Sequence, residues 1–327
     1  MSSCDPRTLT KMTTVSAAAG HSLALKADAT LWAWGENGQG QLGLGDTTRR
    51  RNPVQVGTAK TWKSVTAGGA HGAAIRSDGT LWTWGANTDG QLGLGDTSRR
   101  LRPTQVGTAT NWKSVSAGGG ITIALRTNGT LWAWGDGSLG ALGLGSTTDR
   151  RVPTQVGTAT NWVAIAAGGN HVVALRSSRT VWTWGFNLFG QLGLGDYGDR
   201  SRPTQVGSAS NWVAVAAGGY HTLAIRADGS LWSWGHNADG QLGRDTPGDL
   251  ASPGQVGTAT NWKTITTAWI HSAAIRSNGT LWTWGWNDDG ELGIGNTALQ
   301  RRPHQVGAAT DWIAVAAGFA HTIGIRA

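Results

Sequence analysis

The chain holds one cysteine, Cys4, two methionines, two tyrosines and three phenylalanines among its 327 residues. A single thiol excludes an intramolecular disulfide framework, so stability has to come from packing. No run approaches the roughly 18 to 20 consecutive apolar residues that a membrane-crossing helix requires. Met1 to Lys11 lacks the apolar stretch of a secretory signal peptide. Charged residues make up only 14%, and no linker or low-complexity tract divides the chain. The motifs of common catalysts are missing as well. There is no Gly-x-Ser-x-Gly elbow, no phosphate loop closed by Lys-Ser/Thr, no paired helical histidines and no reactive-cysteine setting. Asp288 and Asp289 form an adjacent carboxylate pair that reads as a solvated turn.

What is abundant is glycine, at 51 residues, and tryptophan, at 20. Both recur with a fixed period of fifty residues: a Leu-Trp-x-Trp-Gly box begins at Leu31, Leu81, Leu131, Val181, Leu231 and Leu281. A second box, Val/Ile followed six residues later by histidine (isoleucine in the third copy), begins at Val15, Val65, Val115, Ile165, Val215, Ile265 and Val315. A period of this kind marks units that bury their apolar faces only by stacking on copies of themselves. Within one repeat the sequence predicts four short strands. Val65–Ala67 precedes a glycine turn, His71–Arg76 alternates, and Asp78-Gly79 supplies hairpin chemistry. Leu81–Trp84 places two indoles on one face with Thr83 on the other. Pro103 opens a fourth strand on an outer edge, where no ladder donor is needed.

Four antiparallel strands repeated radially describe an all-β propeller, with a stacked solenoid as the lesser alternative. Residues 1–12 read as an N-terminal extension and 13–327 as one propeller domain. Inner half-repeats number seven and outer halves six. The expectation is therefore a seven-bladed β-propeller of 50-residue repeats whose last blade is incomplete, unless Thr8 to Met12 adds a strand. Six blades plus a spare hairpin is the alternative. An incomplete blade exposes an edge for a partner or a second copy.

The boxes Trp84–Gly93 and Ala67–His71, with Gly45-Asp46-Thr47 leading to Pro53, resemble the regulator of chromosome condensation repeat from Val15 onward. The resemblance implies a seven-bladed propeller and leaves activity open, since members differ. One member exchanges nucleotide on a small nuclear GTPase and binds nucleosomes through projecting segments; the strict period here leaves no such insertion. A plant member senses UV-B through clustered tryptophans in Gly-Trp-Arg-His-Thr motifs. Here only Trp269 holds that position, followed by Ile270. A more distant β-lactamase inhibitory protein binds its enzyme through aromatics on one face.

Six aligned histidines (His21, His71, His171, His221, His271, His321) read as structural, bonded to loop backbone, with Ile121 as the exception. Metal ligation would need them to converge, so no metal or cofactor is expected. Arginines before the outer strand form a basic rim: Arg50, Arg51, Arg100, Arg102, Arg150, Arg151, Arg200, Arg202, Arg301 and Arg302. With a net charge of +8, this rim suits a polyanion or nucleic acid, or pairs locally with Asp46, Asp96, Asp149 and Asp196. Aromatics outside the repeat template all lie after residue 185: Phe186, Phe189, Tyr197, Tyr220, Trp269, Trp286 and Phe319. By strand direction they fall in loops on one face, joined by Leu188 and Ile270. Loop aromatics on a rigid scaffold are common interface anchors.

The function expected is therefore a non-enzymatic scaffold for a protein or peptide partner. Carbohydrate stacking, or an enzyme site in the ring mouth using His236, Glu36, Asp89, Asp136 or Asp239, are the alternatives. The period-locked tryptophans are expected in the core, and Trp84→Ala should cost about 3–5 kcal/mol. Chemical denaturation that leaves this variant as stable as the parent would contradict the assignment.

Overall fold

The computed structural model describes residues 12–327. Cys4 and Thr8 to Lys11 lie outside the described residues, and Met12 opens the first strand. Six four-stranded antiparallel sheets follow one another, each in simple meander order, and a two-stranded hairpin (Trp312–Ala317 and Thr322–Arg326) comes last. The propeller therefore has six complete blades plus a hairpin, which corrects the seven-bladed expectation to its alternative. The physical reason is the sequence count: only six Leu-Trp-x-Trp-Gly boxes exist to supply third strands. The hairpin fits between the sixth and first blades. Phe319 N–H donates to Ala18 O at 3.1 Å, and Ser22 Oγ meets His321 Nε2 at 3.0 Å.

Blade 2 shows the pattern. Its strands are Trp62–Ala67, His71–Arg76, Leu81–Gly85 and Arg100–Gln105. Two expectations shift here. The first strand begins at Trp62, three residues before the expected Val65, and Pro103 lies within the fourth strand rather than at its start. That strand is outermost in its sheet, so the missing donor faces away from the ladder. The connection from Gly85 to Arg100 is organised by the buried Asn87. Its Nδ2 donates to Asp96 O and Ser98 O, and its Oδ1 accepts from Leu92 N–H.

Each core lies between neighbouring blades. Trp84, Trp134, Trp184, Trp234 and Trp284 are fully buried. Trp84 packs in one cluster with Leu23, Leu31 and Leu42 of blade 1. Trp62 belongs to the same cluster and stands edge-on to Trp82, with centroids 6.2 Å apart. The Arg76 guanidinium covers both rings, 3.8 Å from Trp82 and 4.6 Å from Trp62. Arg126, Arg176, Arg226 and Arg276 repeat this in later blades. Such stacking stabilises by about 0.5–2 kcal/mol per pair.

The histidines stitch the seams. His71 Nε2 lies 3.0 Å from Thr122 Oγ1 of the next blade, and the same bond links His171 to Thr222, His221 to Ser272 and His271 to Thr322. The Thr122 hydroxyl spends its one proton on Gln91 O at 2.8 Å. His71 Nε2 must therefore be the donor, which leaves Nδ1 unprotonated. This replaces the expected bond to loop backbone. Ile121 comes with a second change: it faces the seam position where the next blade has Val172, both wholly buried in one cluster. An apolar pair replaces the imidazole–hydroxyl pair. His21 has no such partner, because the matching position is Gly72, and both its ring nitrogens are unbonded among the described residues.

Burial lowers the pKa of His71 to about 4, and of His21, His171, His221 and His271 to about 3. Above pH 6.5 both folded and unfolded chains are neutral at these sites. Below it the unfolded chain takes up protons that the folded one refuses, so stability falls as pH drops from 6.5 towards 4. The slope is up to about 1.4 kcal/mol per pH unit for each histidine. Equilibrium unfolding across pH 8 to 4 should be flat and then steep. The double variant His171→Ile/Thr222→Val, copying the Ile121–Val172 pair, should lessen the slope by one proton.

The tight turn before each third strand needs a left-handed residue, supplied by Gly79, Gly129, Gly229 and Gly279 at φ of 76° to 78°. Ala29 and Arg179 occupy it at φ 60° and 57°. Glycine at either position should stabilise by up to about 1 kcal/mol, measurable as a raised denaturation midpoint. A lower midpoint would contradict this reading of the turn.

Candidate binding face

In every complete blade the turn after the first strand and the start of the long connection are tied together. Glu36 N–H donates to Gly20 O, Ala86 to Ala70, Asp136 to Gly120, Phe186 to Asn170, His236 to Tyr220 and Trp286 to Ile270. Residues from these two loop families therefore share one side of the ring. They surround the mouth of a narrow axial channel of about 80 Å³, walled by alanine and glycine of the innermost strands, with Trp269 at its lip. The small inner strands allow this close approach to the axis.

The off-template aromatics converge there. Phe186 and Phe189 of blade 4 contact each other at 6.0 Å between centroids, and both reach Tyr220 of blade 5, at 6.0 and 5.1 Å. Tyr220 contacts Trp269 of blade 6 at 5.6 Å, and Trp269 contacts Phe319 of the hairpin at 6.2 Å. The result is a continuous arc across four units of the ring. Trp269 lies over Gly219, where a Cβ would come within 2.9 Å of the indole. The sequence reading took His236 only as a catalytic alternative. Its ring is 4.7 Å from Phe189 and belongs to the arc. Its period position, matching Phe186 and Trp286, was the signal available.

Hydrogen bonds fix that imidazole. Gln241 Nε2 donates to His236 Nδ1 at 2.7 Å, so the proton sits on Nε2, which faces Asp249 Oδ1 at 3.9 Å. Beneath Phe189, the buried Gln191 accepts the Phe189 N–H through Oε1. Its Nε2 has no acceptor among the described residues. Edge-on ring contacts are each worth about 0.5–1.5 kcal/mol, so the arc is held in place before any partner arrives.

Not every expected residue joins. Tyr197 is exposed and Trp286 half-buried, and neither makes a ring contact among the described residues. Ile270 is half-buried beside Trp286, while Leu188 is 61% exposed next to the arc and Phe319 46%. The other half of the mouth differs in character. There Asp89 Oδ2 and Asp136 Oδ2 approach Gly120 from adjacent blades, 3.4 and 4.0 Å from where its Cβ would lie. Glu36 pairs with Arg49 at 3.2 Å.

The arginine rim is largely occupied. Arg50, Arg100 and Arg200 bond the aspartates four residues earlier, Asp46, Asp96 and Asp196, at 2.6, 2.6 and 2.5 Å. Those carboxyls lie below the usual range, for Asp46 and Asp96 chiefly through the arginine bond and for Asp196 chiefly through the Gly198 N–H. Arg302 pairs with Asp245 at 2.7 Å, and the guanidinia of Arg102 and Arg202 lie against Gly45 and Gly145. Arg150 bonds backbone carbonyls of Thr148 and Asp149. Asp149 turns its carboxylate to Gly137 N–H instead of an arginine. Arg51, Arg151 and Arg301 are exposed on outer strands. The described residues contain no group of three or more side chains able to hold a metal ion.

Comparison with known proteins follows the same lines. The regulator of chromosome condensation (RCC1) repeat matches residues 28–75, 78–125, 128–175, 180–225, 228–275 and 278–325. No curated protein sequence matches the chain. Solved structures with a similar fold include yeast RCC1 (Prp20) bound to Kap60, at 23% identity and TM-score 0.86, covering 98% of this chain and 82% of that one. Human WBSCR16 is 23% identical with TM-score 0.87, covering 97% and 86%. Prp20p from Saccharomyces cerevisiae, described with its binding to Gsp1p and histones, is 24% identical with TM-score 0.86, covering 98% and 84%. With six matched repeats spanning most of its length, the chain belongs to the regulator of chromosome condensation (RCC1) repeat family.

Proposed function

We propose that this propeller is a non-enzymatic binding scaffold that recognises a protein or peptide segment through the aromatic arc around the channel mouth. The observation that carries the reading is the unbroken ring-to-ring chain from Phe186 through Tyr220 and Trp269 to Phe319. Its residues depart from the repeat template, and the neighbouring blades do without them, so the scaffold does not need aromatics there. Large aromatics with little side-chain freedom contribute contact area at low entropic cost. Prior ordering of the arc lowers that cost further.

The mouth offers two chemistries side by side. The aromatic arc and Leu188 suit an apolar or aromatic anchor, and the Asp89–Asp136 pair suits a basic side chain next to it. The yeast structures support the reading in kind, since those propellers are described with protein partners.

Selection of a phage-displayed random peptide library on the purified protein tests this. The parent should enrich sequences with an aromatic or aliphatic anchor beside lysine or arginine. Phe189→Ala/Tyr220→Ala should lose that enrichment while melting within a few degrees of the parent. Equal enrichment by both proteins would remove the arc from the binding role.

A further inference from the structure

One seam between complete blades departs from the plan of the others at three positions that touch one another. In the first four seams a leucine of the long connection, Leu44, Leu94, Leu144 or Leu194, packs on the core cluster of its seam. Between blades 5 and 6 that position is Arg244, and the cluster there takes no contribution from it. Gly254 stands in the fourth strand of blade 5, where the other blades have Val54, Thr104, Thr154, Thr204 and His304. A Cβ on Gly254 would collide with the Arg244 guanidinium. Asp245 stands where the first seam has Gly45. There Arg102 lies against the glycine, whereas Arg302 pairs with Asp245 at 2.7 Å. The glycine thus admits one guanidinium, and the aspartate neutralises its neighbour.

These residues line a recess of about 650 Å³ whose walls include Arg244, Arg276, Arg302, Trp262 and Pro303. The corresponding recesses of the first and second seams measure about 250 and 460 Å³. Its charge is unbalanced. Arg302 has Asp245, but Arg244 has only a long bond from Nη1 to Ser233 O, at 3.5 Å, among the described residues. It is half-buried, and loss of water alone lowers its pKa. The Arg276 guanidinium is held 3.8 Å from the Trp282 ring and 4.4 Å from Trp262. Asn278 occupies the position from which Asp78 attracts Arg76 in blade 2, and no carboxylate among the described residues offsets the burial of Arg276. Two guanidinia drawn partly out of water without a counter-charge are costly unless an anion joins them.

We propose that the recess between blades 5 and 6 binds a phosphate monoester. A guanidinium presents its N–H groups in a fork that matches the oxygens of a phosphate two at a time. A phosphate monoester carries about two negative charges near neutral pH, which balances the two arginines that lack a partner, whereas a carboxylate balances one. Trp262, Val256 and Pro303 supply apolar wall for the organic group of the ester. Arg244 is the residue that separates this seam from the rest, so it is the anchor of the site. The recess shares no residue with the aromatic arc and stands or falls without it.

Calorimetric titration of the intact protein with phenyl phosphate, with a short peptide bearing one phosphoserine, and with benzoate tests the site. One-to-one binding of a phosphorylated probe is expected, and the tighter of the two identifies the carrier as a small molecule or a peptide. The double variant Arg244→Leu/Gly254→Thr restores the residues of other seams. It should melt within a few degrees of the parent and bind the phosphorylated probe roughly ten- to a hundredfold more weakly. Arg151→Ala, which removes an exposed rim arginine elsewhere on the ring, should bind as the parent does. Failure of both phosphorylated probes to bind the parent, or equal binding by the double variant, would overturn the proposal. Equal loss in Arg151→Ala would reduce it to diffuse attraction by a basic surface, and benzoate bound as tightly as phenyl phosphate would remove the phosphate assignment.

Discussion

One backbone carbonyl in each long connection governs how the blades meet. In blade 2 it belongs to Gln91, and it accepts from both Thr122 Oγ1 and Trp134 Nε1 of blade 3. The hydroxyl in turn receives His71 Nε2–H. Both lone pairs of the carbonyl are used inside a seam closed to water, where an unpaired polar group costs about 1–3 kcal/mol. That cost fixes the angle and depth at which each blade docks on the last. The conserved chemistry of the repeat is thus mostly directed at the neighbouring blade. Where Ile121 replaces the histidine, Val172 replaces the hydroxyl; where Gly72 replaces the hydroxyl, His21 stays without that bond.

A frame held this way leaves the turns at the channel mouth free to vary. Blades 1 to 3 keep glycine, alanine and carboxylates there. Blades 4 to 6 and the hairpin carry rings that pack on one another. In blades 4 and 5 the arc borrows its rigidity from the seams, because each turn is hydrogen-bonded to the connection that the next blade's tryptophan holds. Binding chemistry can then change residue by residue with little effect on the cores.

The period, the antiparallel meander, the tryptophan cores and the turn chemistry were all legible in the sequence, because each is a local pattern repeated at fixed spacing. So was the gathering of odd aromatics late in the chain, and loop position placed them on one side. The histidine partners were not legible, since the hydroxyl each one meets lies fifty-one residues away in the next blade. Nor could spacing separate Tyr197 and Trp286 from the rings that touch, or draw His236 in among them. Sequence alone determined what each blade is made of and how many third strands exist. Ring closure decided which side chains meet, because contacts between blades depend on the angle at which the seams set one sheet against the next.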